Sequence, residues 1–260
     1  MTYTPYASLR DRVVFISGGS SGIGAELVRA FAAQGSTVAF CSNEPDGARA
    51  VIDEVVAAGH AAPWFAACDV RDVSAYQAVL REAIARLGAV RVLINNAGRD
   101  DRHAMEDVTS ELWDDRLALN LKHYFFAIQA CAPAMAEAGG GSVVNMGSVS
   151  WMRGRPGLAG YTTAKAGILG LTRTLARELG ARNIRVNAIV PGAIVTERQL
   201  ALHRDAKSDQ EFLAAQCLKF RLDPGHVARA TLFMAADDSD GMTGQHVLVD
   251  AGIAQQSVIT

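Results

Sequence analysis

The stretch "RVVFISGGSSGIGAELVRAFAAQG", Arg12 to Gly35, decides the fold. Residues 12–18 form a continuous β-branched and aromatic run, the pattern of a strand covered on both faces. From Gly22 onward, apolar residues recur at helical spacing until Gly35 stops them. Between the two, Gly18, Gly22 and Gly24 follow G-x-x-x-G-x-G. This differs from the spacing G-x-G-x-x-G but obeys the same physics. Glycine permits the tight turn, lets backbone N–H groups approach a pyrophosphate, and lets the helix pack closely on the sheet. Alone it is a glycine-rich turn; behind the first strand of a β–α–β unit it points to a dinucleotide.

The same beat continues along the chain. Strand patterns fall at 37–42, 63–70, 90–98, 141–148, 184–192 and 245–252. Helical patterns lie between them, including a long one from about Ser110 to Ala138 and another from about Tyr161 to Gly180. Apolar strands alternating with amphipathic helices predict an α/β protein with one doubly wound parallel sheet and helices on both faces. No linker, repeat or low-complexity tract interrupts residues 1–260, so a single domain is expected. The one long departure is 193–222, polar and helical, which would lie over the strand ends as a substrate lid.

Composition narrows the function. Half of the 260 residues are hydrophobic and 20% are charged, enough for a sizeable core. A net charge of −2 gives no reason to expect nucleic acid or acidic membrane as partner. The four cysteines, Cys41, Cys68, Cys131 and Cys217, show no paired spacing, and the six histidines form no metal-binding motif. The N-terminus carries no apolar leader pattern, and no run approaches transmembrane length. A soluble cytoplasmic protein without a protein-held metal is expected.

Four residues suggest chemistry. "YTTAK" puts Tyr161 and Lys165 one helical turn apart, on one face. An ammonium beside a phenol favours the phenolate and makes tyrosine a usable base. Surface helices also produce such pairs by chance, so the pair alone decides little. Ser148 closes the fifth strand pattern where a doubly wound sheet opens its ligand crevice. Asn120 lies inside the long helix, where its amide can break local hydrogen bonding and hold a water.

Taken together, "SGGSSGIG" (17–24), "CDV" (68–70), "NNAG" (95–98), Asn120, Ser148, "YTTAK" and "PGAIVT" (191–196) resemble the short-chain dehydrogenase/reductase family over essentially the whole chain. The resemblance implies a Rossmann fold and an NAD(P)-dependent oxidoreductase. It implies Tyr161 as general acid/base, Ser148 as hydrogen-bond partner of the same substrate oxygen, Lys165 on Tyr161 and the nicotinamide ribose, and Asn120 on a proton-relay water. It further implies a cofactor lining of Gly18, Ser20, Ser21, Gly22, Ile23, Gly24, Ser42, Asn43, Asp69, Val70, Asn96, Ala97, Gly98, Tyr161, Lys165, Pro191, Gly192, Ile194 and Thr196. Ser17 stands where the family commonly has threonine. Relatives form homotetramers through surfaces like the 110–138 helix and the C-terminal strand.

At the end of the second strand pattern, "FCSNEP" has Ser42 where many NAD-dependent relatives carry aspartate. Asn43 and Ser21 are neutral, so use of both NADP and NAD is expected, leaning to NADP; Glu44 either reaches back to the site or is a solvated acid.

Three segments should face the substrate: 99–103, "SVSWMRG" (148–154) and the lid with "TERQ" (196–199) and "AAQCLKFR" (214–221). Their polar groups and flat indole suit a polyhydroxylated ligand better than a lipid. "NNAGRDDRH", "GSVSW" and the lid segment also resemble bacterial aldose 1-dehydrogenases of this family, which oxidise the anomeric carbon of a sugar to the lactone. That resemblance implies substrate contacts from Asp100, His103, Ser148, Ser150, Trp151, Tyr161, Arg198, Gln216 and Lys219. Arg99 and Arg102 are expected to steady the loop as ion-pair partners. A 3-oxoacyl or other carbonyl reductase, and a non-catalytic dinucleotide sensor or scaffold, stand as alternatives.

Overall fold

The computed structural model describes the backbone of residues 3–203 and 206–255 and the side chains of 3–200 and 210–255. Its strands are β1 (Val13–Ser17), β2 (Thr37–Ser42), β3 (Trp64–Ala67), β4 (Val92–Asn95), β5 (Gly141–Met146), β6 (Ile184–Pro191) and β7 (His246–Val249). They form one seven-stranded sheet in the order β3-β2-β1-β4-β5-β6-β7, and every neighbouring pair is parallel. The strand order reverses between β1 and β4. The carboxyl ends on either side of that reversal diverge and leave a crevice.

Alternation along β1 shows why both faces are covered. Val14 and Ile16 join one apolar layer with Leu27, Val28 and Phe31 of α1 (Gly22–Ala33) and with α9 (Pro224–Ala235). Val13 and Phe15 point the other way, toward Tyr76 and Leu80 of α3 (Val73–Leu87). Residues with a period of two thus feed two cores. The helix α2 (Pro45–Ala57) packs beside α1 through Val51 and Val55.

Most predicted elements are present, with shorter ends. The third strand spans four residues rather than all of 63–70. Its continuation "CDV" is a loop that leads to Asp72, whose carboxylate caps α3 by accepting the Ala75 N–H at 3.0 Å.

The largest difference concerns 110–138. Instead of one helix there are α4 (Ser110–Leu117), a π-helical turn (Ala118–Lys122) and α5 (His123–Glu137). The cause is Asn120, which is wholly buried. Its Nδ2 donates back to Arg116 O at 3.0 Å, and its Oδ1 accepts the Arg99 N–H at 2.9 Å. A side-chain amide that answers a helical carbonyl and a loop N–H loosens the ladder locally, and such π-turns recur at functional sites. The helix α6 spans Ala159–Leu179, and the segment 193–222, expected as a lid, contains α7 (Glu197–His203) and α8 (Ala206–Ala215). Part of the expected lid, 204–205, lies outside the described residues.

At the start of α5, His123 is fully buried, with Nε2 3.2 Å from Ala97 O and its ring against Tyr76 and Tyr124. Burial, aided by the nearby Lys165 charge, pushes its pKa down to about 3. The unfolded chain regains an ordinary histidine near 6.5. Stability from this residue is therefore complete above about pH 6.5 and is lost as pH falls toward 3. Acidifying from pH 7 to 5 should remove about 2 kcal/mol through this residue alone. In urea melts, His123→Phe should show a visibly flatter loss of stability over that range; an unchanged slope would contradict the assignment.

Candidate active site

Four loops meet at the switch between β1 and β4. Ser17 ends β1, and its Oγ accepts the backbone N–H groups of Asn96 (3.0 Å) and Ala97 (3.1 Å). Asn96 Nδ2 answers by donating to Ser17 O (2.9 Å) and Gly18 O (3.1 Å). The serine in place of threonine keeps the hydroxyl that does this. Past the latch, Gly18 and Gly22 adopt φ of +71° and +54°, values that a side chain would strain. A Cβ at Gly18 would stand 3.0 Å from Ala97 Cα, and one at Gly22 would stand 3.3 Å from Thr196 Cγ2.

These turns wall a cleft of about 970 Å³, near the top of the range for small-molecule sites, about 300–1,000 Å³. Every residue expected along the dinucleotide, from Gly18 to Thr196, lines it. The helix α1 opens into the cleft with backbone N–H groups that lack side-chain caps, a suitable cradle for a pyrophosphate. The backbone therefore fits a dinucleotide, which would supply the hydride acceptor.

Ser148 lies two residues beyond β5, and its Oγ donates to Ser150 Oγ at 3.0 Å and accepts the Ser150 N–H at 3.2 Å. Tyr161, on the first turns of α6, shares the cleft with both serines. Burial raises its phenol to about 12, against a hydrogen bond from Ser148 that lowers it, while the Asp100 charge raises it further. The expected lowering of Tyr161 by Lys165 does not appear. Lys165 stands 5.6 Å from the Tyr161 ring centroid and instead donates to Tyr124 Oη (3.1 Å) and Met146 O (2.8 Å). Burial pulls Lys165 itself down to about 7, countered by Asp100. A lysine whose ammonium donates to Tyr124 and Met146 O is turned from the phenol oxygen and exerts a weak field on it. Tyr124, which sequence reasoning missed, is the side chain that holds it. Only burial of the phenol against β4 and β5 could have marked it.

Asn120 does not line the cleft. It stands behind Gly98, where a Cβ would meet Asn120 Oδ1 at 2.8 Å and Lys165 Nζ at 3.3 Å. Glycine at 98 is what lets these groups approach one another.

Charges outside the centre form a chain. Arg71 forks onto Asp69 and also reaches Asp115 at 2.7 Å. Arg116 bonds Asp115 and Asp101, and Asp101 accepts from Arg198 of α7 at 2.7 Å. Arg99 joins Asp101 at 3.6 Å, as its expected loop role requires. Asp100 faces the cleft beside Gln199, which donates to it at 3.0 Å. Arg102 is exposed and enters no ion pair among the described residues, contrary to the expectation for it.

Of the expected substrate contacts, Asp100, Ser148, Ser150, Tyr161 and Arg198 line the cleft. Four others turn away. His103 is tied through its backbone N–H to Gly157 O (2.9 Å), and its ring faces a small cavity with Val108, Leu112 and Trp113. Trp151 is partly buried, with Nε1 shielded from solvent outside the cleft. Gln216 is buried because its amide holds Leu218 O and Phe220 O, a loop brace. Lys219 donates to Leu213 O, Ala214 O and Gln216 O, neutralising the last carbonyls of α8. Conversely, Arg155, Gln199 and Phe212 line the cleft without having been singled out. Their signal was position alone, since each lies in or beside a segment already expected to face substrate.

Comparison with known proteins agrees with this geometry. A family model described as Enoyl-(Acyl carrier protein) reductase matches residues 18–254. The "Probable galactose dehydrogenase" of Rhizobium meliloti (strain 1021) is 49% identical over 95% of this chain and 97% of its own.

The chain belongs to the short-chain dehydrogenase/reductase family.

It is accordingly an oxidoreductase that acts on CH–OH groups with a nicotinamide dinucleotide. The D-xylose 1-dehydrogenase of Caulobacter vibrioides is 45% identical over 97% of this chain and 99% of its own. Among solved structures, a blue fluorescent protein from a metagenomic library in complex with NADPH superposes with a TM-score of 0.87 at 35% identity, covering 95% of this chain and 99% of that one. A mutant short-chain dehydrogenase/reductase of Serratia marcescens gives 0.87 at 31% identity with the same coverage. Among the described residues no helix is long and apolar enough to cross a membrane.

The glycine cradle yields a direct test. A Cβ at Gly24 would lie 1.8 Å from Gly18 O and 2.7 Å from Asn96 Nδ2, so Gly24→Ala must push the turn and its latch apart. Fluorescence titration should show dinucleotide binding weakened by about tenfold or more, equivalent to about 1.4 kcal/mol, with a lower melting temperature. Unchanged affinity would mean that the turn does not carry the pyrophosphate.

Proposed function

We propose that this enzyme oxidises the anomeric C1 hydroxyl of an aldose, a pentose, hexose or deoxyhexose, to the lactone. The observation that carries the reading is the meeting of Tyr161, Ser148 and Ser150 with Asp100, Arg198 and Gln199 in one polar cleft. Relatives named for galactose and D-xylose, at 49% and 45% identity, support it. A lipid or steroid would leave these donors and acceptors without partners.

In this reading Tyr161 takes the proton from the C1 hydroxyl. Ser148, fixed by Ser150, hydrogen-bonds the same oxygen and steadies its developing charge. Because burial holds the phenol high, oxidation runs best above neutral pH, where proton removal is easier. Lys165, held by Tyr124, orients the ribose; Asn120 stands behind it and reaches the cleft only through a relay water. Asp100 and Arg198 bind sugar hydroxyls, and the start of α7, pinned by Arg198 to Asp101, borders them. The dinucleotide that the glycine turn and Lys165 would hold would supply the acceptor for the C1 hydride.

A 3-oxoacyl reductase is the second reading, since proteins so named are 34% identical over 94% of this chain. The intact Tyr161, Ser148, Lys165 and Asn120 weigh against a non-catalytic sensor or scaffold. We further take the enzyme as a single-domain, cytoplasmic homotetramer; of these, association alone has some support, from Phe125 standing 39% exposed on α5.

For the coenzyme, Glu44 changes the balance. Its carboxylate lies 3.2 Å from Ser20 Oγ, which in turn is 2.6 Å from Ser42 Oγ, all on the cleft. An acid there suits a ribose 2′-hydroxyl and repels a 2′-phosphate. Arg29, which also lines the cleft, is occupied by Glu26 (3.1 Å) and Glu54 (2.6 Å). Both coenzymes are accepted, with NAD favoured, against the lean to NADP that Ser42 had supported.

Two experiments test these points. Initial rates with free aldoses above neutral pH should show turnover that Tyr161→Phe reduces by about 10³-fold or more, the scale of losing a positioned general base. Turnover of acetoacetyl thioesters without any aldose activity would favour the second reading. Separately, dissociation constants for NADH and NADPH should differ in favour of NADH, and Glu44→Gln should shift their ratio about tenfold toward NADPH, equivalent to about 1.4 kcal/mol. A ratio that does not move would remove Glu44 from coenzyme selection.

A further inference from the structure

The substrate end of the cleft carries one cation that the protein does not neutralise. Arg155 lines the cleft with Ser148, Ser150 and Tyr161. Its guanidinium donates no hydrogen bond and enters no ion pair with any described residue; it lies over the face of Phe212 on α8, 5.0 Å from the ring centroid. Its neighbours differ in this respect. Arg116 and Arg198 are both paired with Asp101, and Arg71 with Asp69 and Asp115. Among the described arginines that line the cleft, Arg155 alone keeps its guanidinium donors without a protein acceptor.

That arrangement is costly unless something completes it. Partial burial disfavours the Arg155 charge, and Arg102 and Arg153 disfavour it further by repulsion, while only Asp100 supports it. Asp100, the carboxylate nearest in effect, is already engaged by Gln199 at 3.0 Å and Arg198 at 3.9 Å. An incompletely solvated cation without a counter-ion costs stability, and it becomes a strong ligand for an anion that enters the same space. The group is also positioned. The Arg155 N–H donates to Ser150 O at 3.2 Å, and Ser150 is the residue whose hydroxyl meets Ser148. The aromatic face of Phe212 restrains the guanidinium plane.

We propose that Arg155 binds an oxyanion on the substrate, so that the enzyme prefers an acidic aldose to a neutral one. The group is a carboxylate or phosphate at the end of the sugar remote from C1. A planar fork pairs with either in a bidentate manner. The inference rests on the reading that an aldose C1 hydroxyl meets Ser148 and Tyr161. The ligand then spans the cleft, with C1 at the catalytic pair and its charged end at Arg155.

The test compares D-galactose, D-galacturonate and D-galactose 6-phosphate with the intact enzyme and NAD. At least one acidic sugar should exceed galactose in kcat/KM by tenfold or more, and which one does so tells carboxylate from phosphate. Arg155→Gln should reduce that acidic-to-neutral ratio at least tenfold, chiefly through KM, and Arg155→Lys should restore part of it. The wild-type ratio needs no variant, so a poorly folding Arg155→Gln leaves the question decidable. Galactose turnover that equals or exceeds both acidic sugars overturns the anion site while leaving the aldose reading standing. A ratio indifferent to Arg155→Gln also overturns it. No turnover of any sugar, neutral or acidic, overturns both.

Discussion

The exchange of hydrogen bonds between Ser17 and the Asn96–Ala97 segment is the constraint on which the rest of the site depends. It joins the carboxyl ends of β1 and β4 where the strand order reverses. At such a point two chain segments leave the sheet in opposite directions, and their backbones would otherwise splay with unpaired polar groups. The serine hydroxyl pairs with two N–H groups, and the asparagine amide pairs with two carbonyls. Both glycine-bearing turns are thereby fixed relative to each other. Gly24 can approach Gly18 closely, and Gly98 can sit against Asn120 and Lys165, only because this latch sets the spacing.

Around that centre, burial and charge have been sorted into separate zones. The inner zone holds His123, Tyr124, Tyr161 and Lys165, where burial shifts every group toward its neutral form. The outer zone is the ion-pair chain from Asp69 to Arg198, partly solvated, where each carboxylate is held ionised by guanidinium partners. Exposed pairs of this kind contribute little to stability singly, about 0–1 kcal/mol. Their effect is geometric. They connect the loop after β3, the helix α4, the loop after β4 and the lid helix α7 as one rim, and leave Asp100 and Arg155 turned into the cleft.

Legibility in the sequence followed the range of the interactions concerned. The glycine turn was readable because its φ values are a local demand that only glycine meets cheaply. The sheet was readable because two-sided burial writes itself into each strand as a continuous apolar run. The break in 110–138 was half-readable. Asn120 was recognised as disruptive, but the Arg99 N–H it answers lies 21 residues away in sequence. Gln216 and Lys219 lie outside the cleft because carbonyls of a nearby turn and helix end take their donors, a competition that spacing in the sequence does not show.

What the sequence by itself determined, then, is the doubly wound architecture, the dinucleotide turn, and the presence of Ser148, Tyr161 and Lys165 on elements whose ends converge. Local backbone preference and hydrophobic period suffice for these. What only the tertiary structure decided is which charges face the cleft. Lys165 leans to Tyr124 rather than Tyr161, Glu44 returns to Ser20, His103 turns away, and Arg155 meets the Phe212 ring and no carboxylate among the described residues. Each outcome depends on competition among partners from distant segments, and a side chain's direction is fixed only once all of them are in place.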